Sequence, residues 1–111
     1  MILVVEDSRG HIDLIQRAFE DNDPTVEVVF VPTLEEAWAR IARCTPELVI
    51  LDLILPDGKG TDFLADPRGH PDYPVVIMTS HGDERIAVEA MKAGALDYVV
   101  KSGSAFAEMP H

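Results

Sequence analysis

The chain has 111 residues, 47% of them hydrophobic, enough for one domain with one core and too little for two. Its 20 acidic residues against 9 basic ones leave a formal charge of −11, spread along the whole chain, which argues against unaided binding to nucleic acid. No apolar run approaches the roughly 20 residues that span a bilayer, and Met1 leads straight into a strand-like run, so a soluble, cytoplasmic protein is expected.

Ile2-Leu-Val-Val5 is too short and too apolar for a surface helix and reads as a buried strand. Ser8 to Asp21 follows with Ile12, Ile15 and Phe19 on one helical face, Leu14 and Ala18 widening it, and Asp23-Pro24 ending it. Val26 to Val31 is a second strand. From Thr33 to Arg43, Leu34, Ala37, Trp38, Ile41 and Ala42 recur at helical spacing, Thr33 with Glu36 forms a capping-box pattern, and Pro46 prevents continuation. The single cysteine, Cys44, can form no internal disulfide and is given no role.

Leu48-Val-Ile-Leu51 is the third strand. The stretch from Pro56 to Pro74, rich in proline and glycine, should run as an open loop to Gly60 and hold only a short helix, Thr61 to Ala65. Val75-Val-Ile-Met78 is the fourth strand. Asp83 to Ala93 carries Ala87, Ala90 and Met91 on one helical face and stops at Gly94, a natural left-handed cap. Tyr98-Val-Val100 closes the series as the fifth strand.

Strict alternation of strands and helices predicts an α/β fold, a single doubly wound five-stranded parallel sheet with helices on both faces. Only ten residues follow Lys101, so the last helix is expected to be abbreviated. Residues 1–111 read as one domain, excised from or truncated relative to a longer protein.

In such a sheet ligands bind at the carboxyl ends of the strands. Glu6, Asp7, Asp52, Thr79 and Lys101 each sit where an apolar run ends, so they should meet at one mouth. Three carboxylates there repel one another unless a cation sits between them, and an oxygen-rich set suits Mg²⁺, which keeps several waters and takes phosphate oxygens. Lys101 and Thr79 suit the oxygens of a phosphoryl group, and a carboxylate can serve as its acceptor. Asp52, ending a central strand before a loop, is the best candidate. Singly, each residue has a duller reading: a helix cap for Asp7, a strand end for Thr79, a surface charge for Lys101. His11, His70 and His111 have no metal-ligand spacing and read as surface residues.

The motifs Val4-Val-Glu-Asp-Ser8, Ile50-Leu-Asp-Leu-Ile-Leu-Pro56 with Gly60, Met78-Thr-Ser80 and Ala93-Gly-Ala-Leu-Asp-Tyr-Val-Val-Lys101 together resemble the receiver domain of two-component response regulators and hybrid histidine kinases. That resemblance covers residues 1 to about 102 and implies a flavodoxin-like strand order of 2-1-3-4-5. It implies Asp52 as phosphoacceptor, with Glu6, Asp7, Asp52 and the backbone carbonyl of Ile54 around Mg²⁺. It further implies Thr79 and Lys101 on the phosphoryl oxygens, Tyr98 as a switch aromatic moving with Thr79, and Ile54 and His81 as residues that tune the lifetime of the phosphate. The implied partner is a histidine kinase or histidine phosphotransfer domain, with fused sensor or output domains and a homodimer through the helix 4, strand 5, helix 5 face left open. The implied role is regulatory, a phosphoacceptor with self-phosphotransfer and autodephosphorylation rather than an enzyme.

Two departures from the family pattern stand out. Proline usually follows the lysine across a cis peptide, whereas this chain has Ser102, before which a cis bond costs about 3–4 kcal/mol. The short C-terminus is the second. Beside the receiver stand a receiver-like interaction module that works without phosphorylation and, more distantly, an aspartyl-phosphate phosphatase of the haloacid dehalogenase kind. The phosphatase wants an acid two residues after the nucleophile, where Ile54 stands. An FMN-binding flavodoxin fits least, because Glu6 and Asp7 would repel its phosphate.

Overall fold

A computed structural model describes residues 1–65, 73–79 and 84–100. In chain order these form β1 (Ile2–Val5), α1 (Arg9–Asn22), β2 (Val28–Val31), α2 (Leu34–Arg43), β3 (Leu48–Asp52), a short pair β4 (Ile54–Leu55) and β5 (Gly58–Lys59), α3 (Gly60–Ala65), β6 (Val75–Thr79), α4 (Glu84–Lys92) and β7 (Asp97–Val100). The five longer strands make one parallel sheet in the order β2-β1-β3-β6-β7. With the short pair set aside, that is the expected 2-1-3-4-5. The last helix, together with Lys101, Ser102, His81, His70 and His111, lies outside the described residues.

The strands are apolar without alternation because both faces of the sheet are covered. Leu3, Val5, Val49, Leu51 and Ile77 point to one side, where Leu34, Ala37 and Trp38 of α2, Phe63 of α3 and Ala90 of α4 meet them. Ile2, Val4, Ile50 and Met78 point to the other, against Ile15, Ala18 and Phe19 of α1. Trp38 stacks on Phe63 with ring centroids 4.2 Å apart and 13° between planes, joining α2 to α3.

Three local expectations need correction. Leu14 does not widen the buried face of α1 but is 41% exposed, because it lies about 100° around the helix from Ile15. Met91, 36% exposed in the last turn of α4, covers the sheet less than Ala87 and Ala90 do. Pro56 to Gly60 is not an open loop: β4 and β5 pair antiparallel, Ile54 with Lys59 and Leu55 with Gly58, and α3 starts at once with Gly60.

Gly94 ends α4 as expected, at φ +119°. Its amide donates to the carbonyl of Met91 at 3.2 Å and that of Ala95 to Ala90 at 3.0 Å, the paired bonds of a Schellman motif. The amide of Leu96 then donates to Val75 at 2.7 Å, so the cap delivers the chain directly into β7.

Candidate functional site

The strand register sets the site. Val5 pairs with Leu51, Asp52 with Met78 and Thr79 with Val100, so the chain leaves β1, β3, β6 and β7 at nearly one level. Glu6 follows β1 with its amide on the Val31 carbonyl at 2.9 Å, and the residue after Val100 is Lys101, outside the described residues.

Glu6, Asp7 and Asp52 each offer an oxygen, and these oxygens all lie within 4.8 Å of one another. Glu6 and Asp52 are buried and Asp7 is exposed, so the cluster has a buried base and one side open to solvent. Such a set of hard oxygen donors fits a divalent cation such as Mg²⁺, with the open side left for water or phosphate. Glu6 Oε1 accepts the amide of Ser8 at 3.0 Å, which fixes the carboxylate relative to the start of α1. Ser8 caps that helix, its hydroxyl accepting the His11 amide at 3.5 Å.

His11 is not simply a surface residue. Its Nδ1 lies 3.4 Å from Glu6 Oε1, so the first turn of α1 returns a ring nitrogen to the cluster. The clue was its place three residues past the Ser8 cap, on the turn nearest the strand end.

Asp52 Oδ1 accepts the amide of Ile54 at 3.3 Å, and the Leu53 amide donates to the Met78 carbonyl at 3.0 Å, so the backbone beyond Asp52 is held on both sides. Ile54 itself is 57% exposed at the rim. Thr79 is fully buried at the end of the neighbouring strand, and its hydroxyl oxygen has no hydrogen-bond partner among the described residues. A buried hydroxyl without a partner is costly, and a phosphoryl oxygen arriving there would satisfy it. Tyr98 in β7 is half-buried, paired in register with Ile77, and packs against the core.

No sequence signal pointed to Asp57. Its carboxylate oxygens accept the amides of Leu34 and Glu35 at 2.9 and 3.0 Å, binding the tip of the hairpin to the first turn of α2. The Leu34 amide chiefly holds the exposed Asp57 carboxyl below its usual range, with slight desolvation opposing and the Glu35 amide adding to the lowering.

Comparison with known proteins agrees with this layout. A family model for the response regulator receiver domain matches residues 2–107. The methanogenesis regulatory protein FilR1 of Methanothrix harundinacea is 40% identical over 114 aligned positions, covering 98% of this chain and 25% of FilR1. The chain thus spans about a quarter of that relative's length. The crystal structure of the receiver domain of NtrX from Brucella abortus superposes with a TM-score of 0.83 at 30% identity, covering 96% of this chain and 91% of that one. The Mn²⁺-bound form of the response regulator Rcp1 superposes with a TM-score of 0.80 at 28% identity, covering 91% of this chain and 80% of that one. No helix among the described residues is long and apolar enough to cross a membrane.

Proposed function

Because this chain belongs to the response regulator receiver domain family, regulatory domains of phosphorelay signal transduction, we propose that Asp52 is its phosphoacceptor and that a histidine kinase or histidine phosphotransfer domain is the donor. The observation that carries this reading is the buried Asp52 carboxylate with an oxygen within 4.8 Å of two further carboxylate oxygens, and on the next strand the Thr79 hydroxyl, which has no hydrogen-bond partner among the described residues.

In this reading an Asp52 oxygen attacks the phosphorus of the donor phosphohistidine. The new P–O bond forms as the donor's P–N bond breaks, and the imidazole nitrogen takes up a proton. Glu6, Asp7, Asp52 and the Ile54 carbonyl would hold Mg²⁺, which neutralises charge on the phosphoryl oxygens when bound. The Mn²⁺ of Rcp1 supports a divalent ion in this fold. Thr79 donates its hydroxyl to one phosphoryl oxygen, and Lys101 supplies a positive charge to another.

Movement of Thr79 toward the phosphate leaves space that Tyr98 fills, changing the partner-facing surface of α4 and β7, which also serves a second copy of the chain. Ile54 at the rim, together with His81 two residues beyond Thr79 in the chain, sets how readily water reaches the acyl phosphate, whose hydrolysis resets the domain. Residues 1–111 act as one receiver unit, joined in a cytoplasmic parent to sensor or output domains that supply any contact with nucleic acid.

Incubation with acetyl phosphate and Mg²⁺, followed by intact mass, tests the assignment. Wild type is expected to gain one acid-stable, base-labile phosphoryl group and Asp52→Asn none. Equal uptake by both, or by neither while both are folded, would overturn it.

A further inference from the structure

The segment after Asp52 is tied to a helix that contributes nothing to the acidic cluster. Asp57, at the tip of the β4 and β5 hairpin, takes the first two amides of α2, Leu34 and Glu35, on separate oxygens. The third, Glu36, donates to Thr33 Oγ1 at 3.1 Å, and the Ala37 amide makes the first intrahelical bond, to the Thr33 carbonyl at 3.1 Å. Helix starts leave their first amides without intrahelical partners, and here a carboxylate from another element satisfies two of them at the positive end of the helix dipole.

Two further contacts reinforce the tie. A Cβ on Gly58 would stand 2.8 Å from Leu34 Cδ1, so the hairpin backbone rests directly on the first turn of α2. One turn along, Trp38 stacks on Phe63 in α3. Helix α2 therefore grips the chain at the tip of the hairpin and again beyond it, in α3. At its other end the same hairpin meets the site, with the Ile54 amide on Asp52 Oδ1 and the Gly60 amide on the Leu53 carbonyl at 2.7 Å.

We infer that Asp57 is a positioning residue for phosphoryl transfer: by anchoring the hairpin on α2 it holds the Leu53 and Ile54 backbone against Asp52. The inference rests on the reading of Asp52 as phosphoacceptor. A hairpin held only at its Asp52 end would let the peptide at Ile54 wander, and the oxygen set proposed for Mg²⁺ would lose its fixed shape. Demand for the metal should then rise more than the maximal rate falls.

The test compares the full chain as wild type, Asp57→Ala, Asp57→Asn and Thr33→Ala. Thr33→Ala removes a cap from the same helix without touching the hairpin, so it reports what loss of helix stability alone does. Thermal melting, amide exchange at Ile54 and Gly60, and phosphoryl uptake from acetyl phosphate across a Mg²⁺ titration are measured for each. Asp57→Ala is expected to raise the Mg²⁺ concentration for half-maximal uptake at least about threefold, below the roughly ten- to hundredfold cost of losing a direct outer-shell partner. It should also speed exchange at both amides. Asp57→Asn, which keeps one acceptor oxygen, should fall between, and Thr33→Ala should melt earlier with wild-type half-saturation and exchange.

Equal shifts in Asp57→Ala and Thr33→Ala, or wild-type half-saturation and exchange in Asp57→Ala, overturn the positioning role. Failure of the underlying reading has a different signature, no uptake even by the wild type, and the positioning role falls with it.

Discussion

Gly60 lies so close to Asp52 that a Cβ there would stand 3.3 Å from the Asp52 carbonyl oxygen, with Leu53 Cα at 3.3 Å and Ile77 Cδ1 at 3.2 Å. Two of these three contacts are backbone, which cannot rotate aside as a side-chain methyl can. Gly60→Ala is therefore expected to displace the peptide that follows Asp52. It should lower stability by about 1–3 kcal/mol and slow phosphoryl uptake several-fold, read by denaturant unfolding and intact mass. Wild-type behaviour in both would mean that this backbone has slack.

Thr79 allows stability and function to be pulled apart. Its buried hydroxyl has no partner among the described residues, so Thr79→Val, which keeps the shape and removes the hydroxyl, should leave the melting temperature unchanged or raise it. Uptake from acetyl phosphate should slow by up to about a hundredfold, the scale for removing one pre-aimed donor. A variant that loses stability while keeping its rate would contradict both halves.

The Schellman turn at Gly94 makes a prediction about stability alone. A Cβ at Gly94 meets nothing within 4 Å, so Gly94→Ala should cost only the left-handed backbone penalty, about 1–2 kcal/mol. Urea unfolding should show a lower midpoint with an unchanged slope. An unchanged midpoint would mean that the turn adapts without penalty.

The amides of Leu34 and Glu35 depress the Asp57 carboxyl, so the folded domain binds that proton more weakly than the unfolded chain does. The resulting stabilisation is complete above the ordinary value of 3.8 and is lost as pH falls through 3.8 and then through the lower folded value. Wild type should therefore lose stability more steeply than Asp57→Asn over that acid range and resemble it in pH dependence near neutrality. Parallel melting curves across the whole range would remove Asp57 from the account of acid stability.

The fold and the meeting of Glu6, Asp7 and Asp52 were legible because the signals are local. Each apolar strand is a contiguous run, each carboxylate follows one, and the parallel alternation brings those run ends to one edge. The place of Thr79 at the end of β6 was legible in the same way. The Asp57 tie was not, since its carboxylate reaches back across β3 to amides that every helix start possesses, and no spacing marks which acid will find them. Leu14 misled because an apolar residue just beyond a buried stripe looks, in one dimension, like part of it. The β4 and β5 pair was hidden by its brevity, two residues a side, below the length at which strand periodicity can be read.

The parallel register has a consequence for how this domain comes into being. Ile2 pairs with both Val28 and Leu48, and Val49 with Val75, so every ladder must close a long stretch of chain before its hydrogen bonds are returned. Folding should be slow relative to a helical bundle of the same size. No single strand carries the site: the end of β1 brings Glu6 and Asp7, β3 brings Asp52 and β6 brings Thr79. Until these strands have zipped together, Asp52 is an ordinary solvated acid. Capacity for signalling would thus appear late and all at once, so that an incompletely folded chain stays silent.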